Sequence, residues 1–195
     1  LLAAALTGLA AASKYNGLFG LAPVLLVVWL EQRQLVPFLK QAFWCIALFA
    51  VVFIAASPFV LLDYSAFLRD FSFEMSHLAS GHMGIDLGRG WWHHASFSLW
   101  HGMGPGLFLL ALVGAFLLLR QAPKPGLVLL AFPLLFYLVI GRGLVVFARY
   151  ALPLIPFLSL SAAWGTLSLF DRLWYRRRSL LLLAVPVLAG AVLLP

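Results

Sequence analysis

The chain has 195 residues, of which 64% are hydrophobic and only 10% are charged, and its mean hydropathy is +1.05. Soluble domains carry about 25% charged residues, so this composition excludes a water-soluble fold, which could not bury so much apolar surface. The net charge of +7 does not indicate nucleic-acid binding, because the basic residues flank apolar runs rather than gather on one face.

Apolar runs long enough to cross a bilayer recur along the whole chain. A bilayer core of about 30 Å needs about 20 apolar residues in a helix. The sequence therefore predicts an all-α fold, a polytopic transmembrane helix bundle, with residues 1–195 as a fragment of one multi-pass membrane domain. The predicted spans are about 15–30, 41–62, 100–119, 126–141, 150–170 and 179–195.

The two ends of the chain predict a longer natural protein. It opens at Leu1 without a methionine, and it stops at Pro195 inside an apolar run. The first thirty residues leave two alternatives. Either one long tilted helix contains Lys14, or a short helix ends near Ser13 and a span follows.

The orientation follows from the Lys and Arg residues in alternate links, because positive residues collect on the cytoplasmic side. We expect the links with more Lys and Arg residues in the cytoplasm, which places 63–104 and 142–149 together on the outer side. We expect the membrane to be a bacterial inner membrane. The links with more Lys and Arg contain Arg33, Lys40, Arg120, Lys124, Arg172, Arg176, Arg177 and Arg178, and the other links contain Arg69, Arg89, Arg142 and Arg149.

The outer loop 63–104 contains all five histidines and four of the six acidic residues. Its first half predicts an amphipathic helix from Asp63 to about Ala79, capped by Asp63 or Ser65. The apolar stripe is Tyr64, Phe67, Leu68, Phe71, Met75 and Leu78. Such a helix can lie at the membrane interface, and the alternative is a lid packed on the other helices.

The histidine spacing does not match a metal motif. His77 and His82 are five residues apart, which is wrong for neighbours on one helical face, and the adjacent His93 and His94 do not point the same way on a regular element. We therefore predict no metal site and no cofactor, although a divalent metal stays open. Surface or hydrogen-bonding roles explain these side chains equally well.

Three cations near hydrocarbon are candidate functional residues, since an ionisable group in a membrane is costly. Lys14 interrupts an apolar run, while Arg142 and Arg149 precede the predicted span 150–170. The alternative for each is snorkelling to lipid headgroups, which explains the two arginines more readily than Lys14. We expect all three to converge around one anion at the outer interface.

Three motifs then resemble one family. Residues 8–19 read Gly-Leu-Ala-Ala-Ala-Ser-Lys-Tyr-Asn-Gly-Leu-Phe, and residues 149–156 read Arg-Tyr-Ala-Leu-Pro-Leu-Ile-Pro. Residues 57–63, Ser-Pro-Phe-Val-Leu-Leu-Asp, are followed by Phe-Leu-Arg-Asp at 67–70 and by Ser-Gly-His at 80–82. In order and spacing these segments resemble the C-terminal part of the membrane domain of protein O-mannosyltransferases, glycosyltransferase family 39 and related C-type enzymes.

The resemblance implies an enzyme that moves a sugar from a polyprenyl-phosphate carrier to an acceptor glycan, lipid or protein at the outer face. It implies carrier-phosphate binding by Lys14, Arg142, Arg149 and Tyr150, and outer-loop substrate contacts by Asp63 and His82. The family's catalytic carboxylate lies in a first outer loop that we expect outside this fragment, so no residue here is assigned that role. A multi-pass transporter or lipid flippase remains the alternative, and a membrane scaffold is a third.

Overall fold

The computed structural model describes residues 1–81 and 87–176, with side chains up to residue 172. These residues form helices and no strand. The α-helices in chain order are α1 Leu2–Ser13, α2 Leu21–Gln32, α3 Leu35–Ala56, α4 Phe59–Leu62, α5 Tyr64–Ser80, α6 Gly90–His93, α7 Trp100–Met103, α8 Pro105–Gln121, α9 Pro123–Ile140 and α10 Ile155–Arg176. Two 3-10 helices, Tyr15–Gly20 and Ala148–Leu154, and a π-helical turn, His94–Leu99, complete them.

Within the described residues, three helices are long and apolar enough to cross a membrane, namely Leu35–Ala56, Pro123–Ile140 and Ala148–Arg172. A fourth crossing is reached if Gly90–Met103 and α8 count as one span, although the two are bent by 112° at Gly104. Gly104 has a φ of +78°, which favours glycine. The predicted spans 41–62, 126–141 and 150–170 fall largely on the three long helices, and 179–195 lies outside the described residues.

The first thirty residues adopt the second of the two predicted alternatives. Helix α1 ends at Ser13, and Lys14 is extended, with φ −156° and ψ 129°. The predicted span over 15–30 is therefore built from a 3-10 helix followed by the twelve-residue α2. The 3-10 helix packs on α1 so closely that a Cβ at Gly17 would stand 2.4 Å from the backbone of Ala10, which fixes the break in place.

The tightest helix crossing joins α8 to α10. A Cβ at Gly114 would lie 1.7 Å from the carbonyl oxygen of Ser161, and one at Gly165 would lie 2.8 Å from the Cα atom of Gly114. Small residues at such crossings let two backbones approach and gain dispersion contacts that lipid cannot replace. Ser161 is fully buried there, and its hydroxyl donates to the carbonyl of Phe157.

The bundle has two distinct ends. At the first, the Lys124 end, Gln121 accepts hydrogen bonds from Trp164 and Ser168 and lines a small cavity with Asp171 and Arg172. At the second, the Lys14 end, the amide of Leu144 donates to the carbonyl of Leu78 over 3.0 Å. This bond joins the segments 63–104 and 142–149, which the charge pattern predicts on one side of the membrane.

Candidate anion site at the Lys14 end

Lys14 is exposed and lies in the extended link between α1 and the first 3-10 helix. The next residue anchors this link to α5, because the ring of Tyr15 meets the rings of Phe67 and Phe71 edge-on, each with centroids 6.0 Å apart. Hydrophobic contacts thus hold the backbone of Lys14 while its ammonium group stays outside the core.

Arg149 is also exposed, and it is held by aromatic faces. Its guanidinium carbon lies 4.5 Å from the ring centroid of Phe147 and 5.8 Å from that of the half-buried Tyr150. Such cation–π contacts orient a guanidinium without neutralising its charge. Phe147 and Tyr150 are themselves in edge-on contact, so the three side chains form one small cluster.

The position of Arg149 corrects one expectation. The predicted span 150–170 places Arg149 directly before a long helix, whose amino end favours anions. In the structure Arg149 lies inside the 3-10 helix Ala148–Leu154, and α10 begins only at Ile155. Pro153 and Pro156 lack the amide hydrogens that a longer α-helix would need here, so the amino end of α10 does not lie directly after Arg149.

One hydrophobic cluster connects the segments that contain Lys14 and Arg149. Ala151 and Leu154, in the second 3-10 helix, are buried in it with Phe136 and Ile140. Phe19, in the first 3-10 helix, packs against the same cluster and meets Phe136 with ring centroids 5.8 Å apart. This cluster packs the 3-10 helix that follows Lys14 near the one that contains Arg149, and the convergence of the two cations stays a prediction.

Helix α5 contacts both the link that contains Lys14 and the segment 142–149. Tyr15 contacts it at Phe71, and Leu144 is hydrogen-bonded to it at Leu78. Seven residues separate these points, which is about 10 Å at a helical rise of about 1.5 Å per residue. The links that contain Lys14 and Arg142 are therefore about two turns of one helix apart.

Two Gly-Arg-Gly sequences, 88–90 and 141–143, pair with each other at this end. The amide of Gly90 donates to the carbonyl of Gly143 over 2.9 Å, and the amide of Trp91 donates to that of Gly141 over 3.0 Å. A Cβ at Gly90 would stand 2.5 Å from the carbonyl oxygen of Ile140, so only glycine fits the pairing. The pairing joins the two segments that contain the exposed Arg89 and Arg142.

The structure tests neither of the two other predicted substrate contacts, at Asp63 and His82, but it shows a capping role for Asp63. Asp63 caps α5, because its carboxylate accepts from the amide of Ala66 over 3.2 Å and from the hydroxyl of Ser65 over 3.3 Å. This confirms the predicted cap and the helix that follows it. His82 lies outside the described residues, so its predicted substrate contact stays a prediction.

His94, which follows the outer helix, is buried inside the bundle. His94 is fully buried in the π-helical turn, where its Nδ1 atom lies 3.1 Å from the hydroxyl of Ser98. Its Nε2 atom is buried without a hydrogen-bond partner among the described residues. No three His, Cys, Asp or Glu side chains of the described ranges 1–81 and 87–172 are grouped as a metal would need.

Cations outnumber carboxylates among the described residues of the Lys14 end, where the carboxylates are those of Asp63, Asp70 and Glu74. The cations there are Lys14, Arg69, Arg89, Arg142 and Arg149. Only Arg69 has a carboxylate partner among the described side chains, namely Asp70 at 3.6 Å, and that pair is exposed on both sides. Exposed pairs of this kind stabilise a protein little, and the four other cations remain available to an anionic ligand.

Sequence reasoning missed Arg89 and the glycine pairing beside it. The repeated Gly-Arg-Gly signal was present, but it is short, and nothing in it says that the two copies meet. The chain matches no protein-family model, no curated protein and no solved structure. The resemblance of the three motifs to glycosyltransferase family 39 therefore stays a prediction.

Proposed function

We propose that this chain is part of an integral membrane glycosyltransferase that moves a sugar from a polyprenyl-phosphate carrier to an acceptor at the outer membrane face. The observation that carries the proposal is the shared core under two exposed cations. Lys14 directly precedes the first 3-10 helix and Arg149 lies inside the second, and Phe19 and Ala151 from these two helices pack in one cluster.

The chemistry of the reaction suits such a site. The acceptor oxygen bonds to the anomeric carbon of the sugar, the bond from that carbon to the carrier phosphate oxygen breaks, and the electron pair leaves with the phosphate. The acceptor's proton goes to a general base that we assign to no residue of this chain. Fixed cations at the departing phosphate stabilise the charge that develops in the transition state, and arginine binds phosphate oxygens in a planar fork.

A role for α5 follows from its exposure. No residue of α5 is fully buried, and Tyr64, Leu68 and Met75 of its apolar stripe are exposed. A helix that leaves much of its apolar face exposed and has a polar opposite face fits the boundary between headgroups and acyl chains. There it would guide a polyprenyl chain towards the cations, whereas a lid would bury this stripe against protein.

A transporter or lipid flippase is the second candidate, because transporters use broken membrane helices. The chain is broken at Lys14 between α1 and α2, and it bends by 112° at Gly104. Pro133 does not break α9, which runs through it to Ile140. We favour the glycosyltransferase, because the exposed cations of the described residues lie near the ends of the long helices rather than at their middles.

The functional test measures sugar transfer and carrier binding by the naturally expressed protein in nanodiscs. Lys14→Ala and Arg149→Ala should each weaken binding of the polyprenyl-phosphate sugar by about 1.5–3 kcal/mol, since each loses a charge-assisted hydrogen bond. Acceptor affinity should stay close to the unmodified value. Arg69→Ala is the matched control, because it removes an exposed cation at the same end that already has a carboxylate partner.

The outcomes separate the two candidates. A glycosyltransferase releases polyprenyl phosphate only when an acceptor is present. A flippase moves labelled carrier across a proteoliposome membrane without an acceptor and leaves the sugar attached. Movement of intact carrier with no transfer to any acceptor would replace the first proposal with the second.

A further inference from the structure

A second, separate cavity lies at the Lys124 end of the bundle. It has a volume of about 740 Å³, within the range of small-molecule sites. Side chains from α2, α8, α9 and α10 line it, and its walls are almost entirely hydrocarbon and aromatic, including Val27, Leu129 and Leu160. Leu160 is 57% exposed, so the cavity is a groove that opens on the outside of the helices rather than a closed void.

Two charges stand at the rim of this groove. Glu31 lies in the last turn of α2, and Lys124 lies in the first turn of α9. Both line the groove, both are exposed, and neither has an ion-pair partner among the described side chains. The groove thus has one anion and one cation among otherwise mostly apolar lining residues.

Each charge is at the unfavourable end of its own helix. The carboxyl end of a helix carries partial negative charge and disfavours Glu31, while the amino end carries partial positive charge and disfavours Lys124. Outside charges of opposite sign can offset both effects. A ligand that contains an ammonium and a phosphate group supplies both, whereas a purely anionic ligand supplies only the partner of Lys124.

From this charge complementarity we propose that the groove binds a zwitterionic phospholipid with a primary ammonium, of the phosphatidylethanolamine class. The phosphate is held by Lys124, the ammonium group by Glu31, and an acyl chain lies along Val27, Leu129 and Leu160. The indole of Trp164 forms part of the wall, where its N–H is fixed by the side-chain oxygen of Gln121 at 3.2 Å. This site is independent of the proposed sugar transfer, since it lies at the opposite end of the bundle from Lys14.

The experiment uses the naturally expressed protein, purified, stripped of lipid and then incubated with defined lipids. Native mass spectrometry counts retained phosphatidylethanolamine, phosphatidylcholine and phosphatidylglycerol. Phosphatidylethanolamine should be retained most. Lys124→Gln should weaken its retention about tenfold, the equivalent of one charge-assisted hydrogen bond, and Glu31→Gln should remove the preference over phosphatidylglycerol. Lys40→Gln is the control, because Lys40 is an exposed cation outside the groove.

A groove-filling change gives an independent readout. Leu129→Trp places a bulky ring over the apolar floor and should lower retention of all three lipids, with thermal unfolding used to show that the variant is folded. Equal retention of the three lipids, or retention unchanged in both Lys124→Gln and Leu129→Trp, overturns the proposal. So does efficient cross-linking, in a Cys45→Ala background, of a cysteine at Val128 to cysteines placed within 179–195, because the chain itself would then occupy the groove.

Discussion

Helices α10 and α5 are both long, and they use their apolar residues in opposite ways. Ser161 and Ala162 of α10 are buried against α8, where glycines allow the two backbones to touch. Helix α5 has a regular apolar stripe and yet no fully buried residue. Apolar content alone does not decide which helix packs in this bundle. Small residues at the crossing let α10 pack closely on α8, whereas much of the apolar stripe of α5 stays exposed.

The largest expected effect is at the α8–α10 crossing. Gly114→Ala places a methyl group where the carbonyl oxygen of Ser161 already lies, so the helices must separate. We expect a loss of about 2–3 kcal/mol of stability, measured by thermal unfolding in detergent. Gly102→Ala is the matched control, because a Cβ at Gly102 meets nothing within 4 Å and alanine favours the helix. Equal behaviour of the two variants would contradict the tight crossing.

A smaller effect is expected where α5 is attached. Phe71→Ala removes the edge-on contact with Tyr15 and the stacked contact with Phe67. Such aromatic pairs contribute about 0.5–1.5 kcal/mol, so amide exchange across 64–80 should accelerate about tenfold while α10 is unaffected. Tyr64→Ala serves as the control, because its ring is exposed and makes no ring contact in the described structure. Faster exchange in α10 as well would mean that α5 is part of the core.

The least disruptive test concerns sidedness. Cysteines at Ser80, the last residue of α5, and at Ser179, three residues after Arg176, should react with an impermeant reagent from opposite sides of the membrane in a Cys45→Ala background. The expected asymmetry follows from the Lys and Arg distribution. Reaction of both cysteines from one side would show that α10 does not carry the chain across the membrane. The contrast between a membrane-crossing α10 and an interfacial α5 would then be wrong.

The sequence was informative where structure is local. The stripe from Tyr64 to Leu78 and the cap at Asp63 depend on neighbours within one or two turns, and both are present as predicted. The break near Ser13 was one of two alternatives, since an apolar run does not show that Gly17 must pack on Ala10. The apolar run predicted a span at 100–119, but α8 begins only at Pro105, after a bend of 112° at Gly104.

Long-range pairings were beyond sequence reasoning. The hydrogen bonds from Gly90 and Trp91 to the turn at 141–143 join residues about fifty positions apart, and no local pattern specifies such a partner. The same holds for Phe19 and Ala151 in one cluster. The candidate cations could be chosen one by one from the cost of charge near hydrocarbon, but their relation to each other depends on these contacts.

The most direct test of the account is a structure of the naturally expressed protein in a nanodisc with its polyprenyl-phosphate carrier bound. The account predicts phosphate oxygens within hydrogen-bonding distance, about 3 Å, of the Lys14 ammonium and the Arg149 guanidinium. A Lys14 ammonium that points into lipid would contradict it. So would a separation of the two cations beyond about 15 Å, well past the Debye length at physiological salt, because one phosphate could not then be shared.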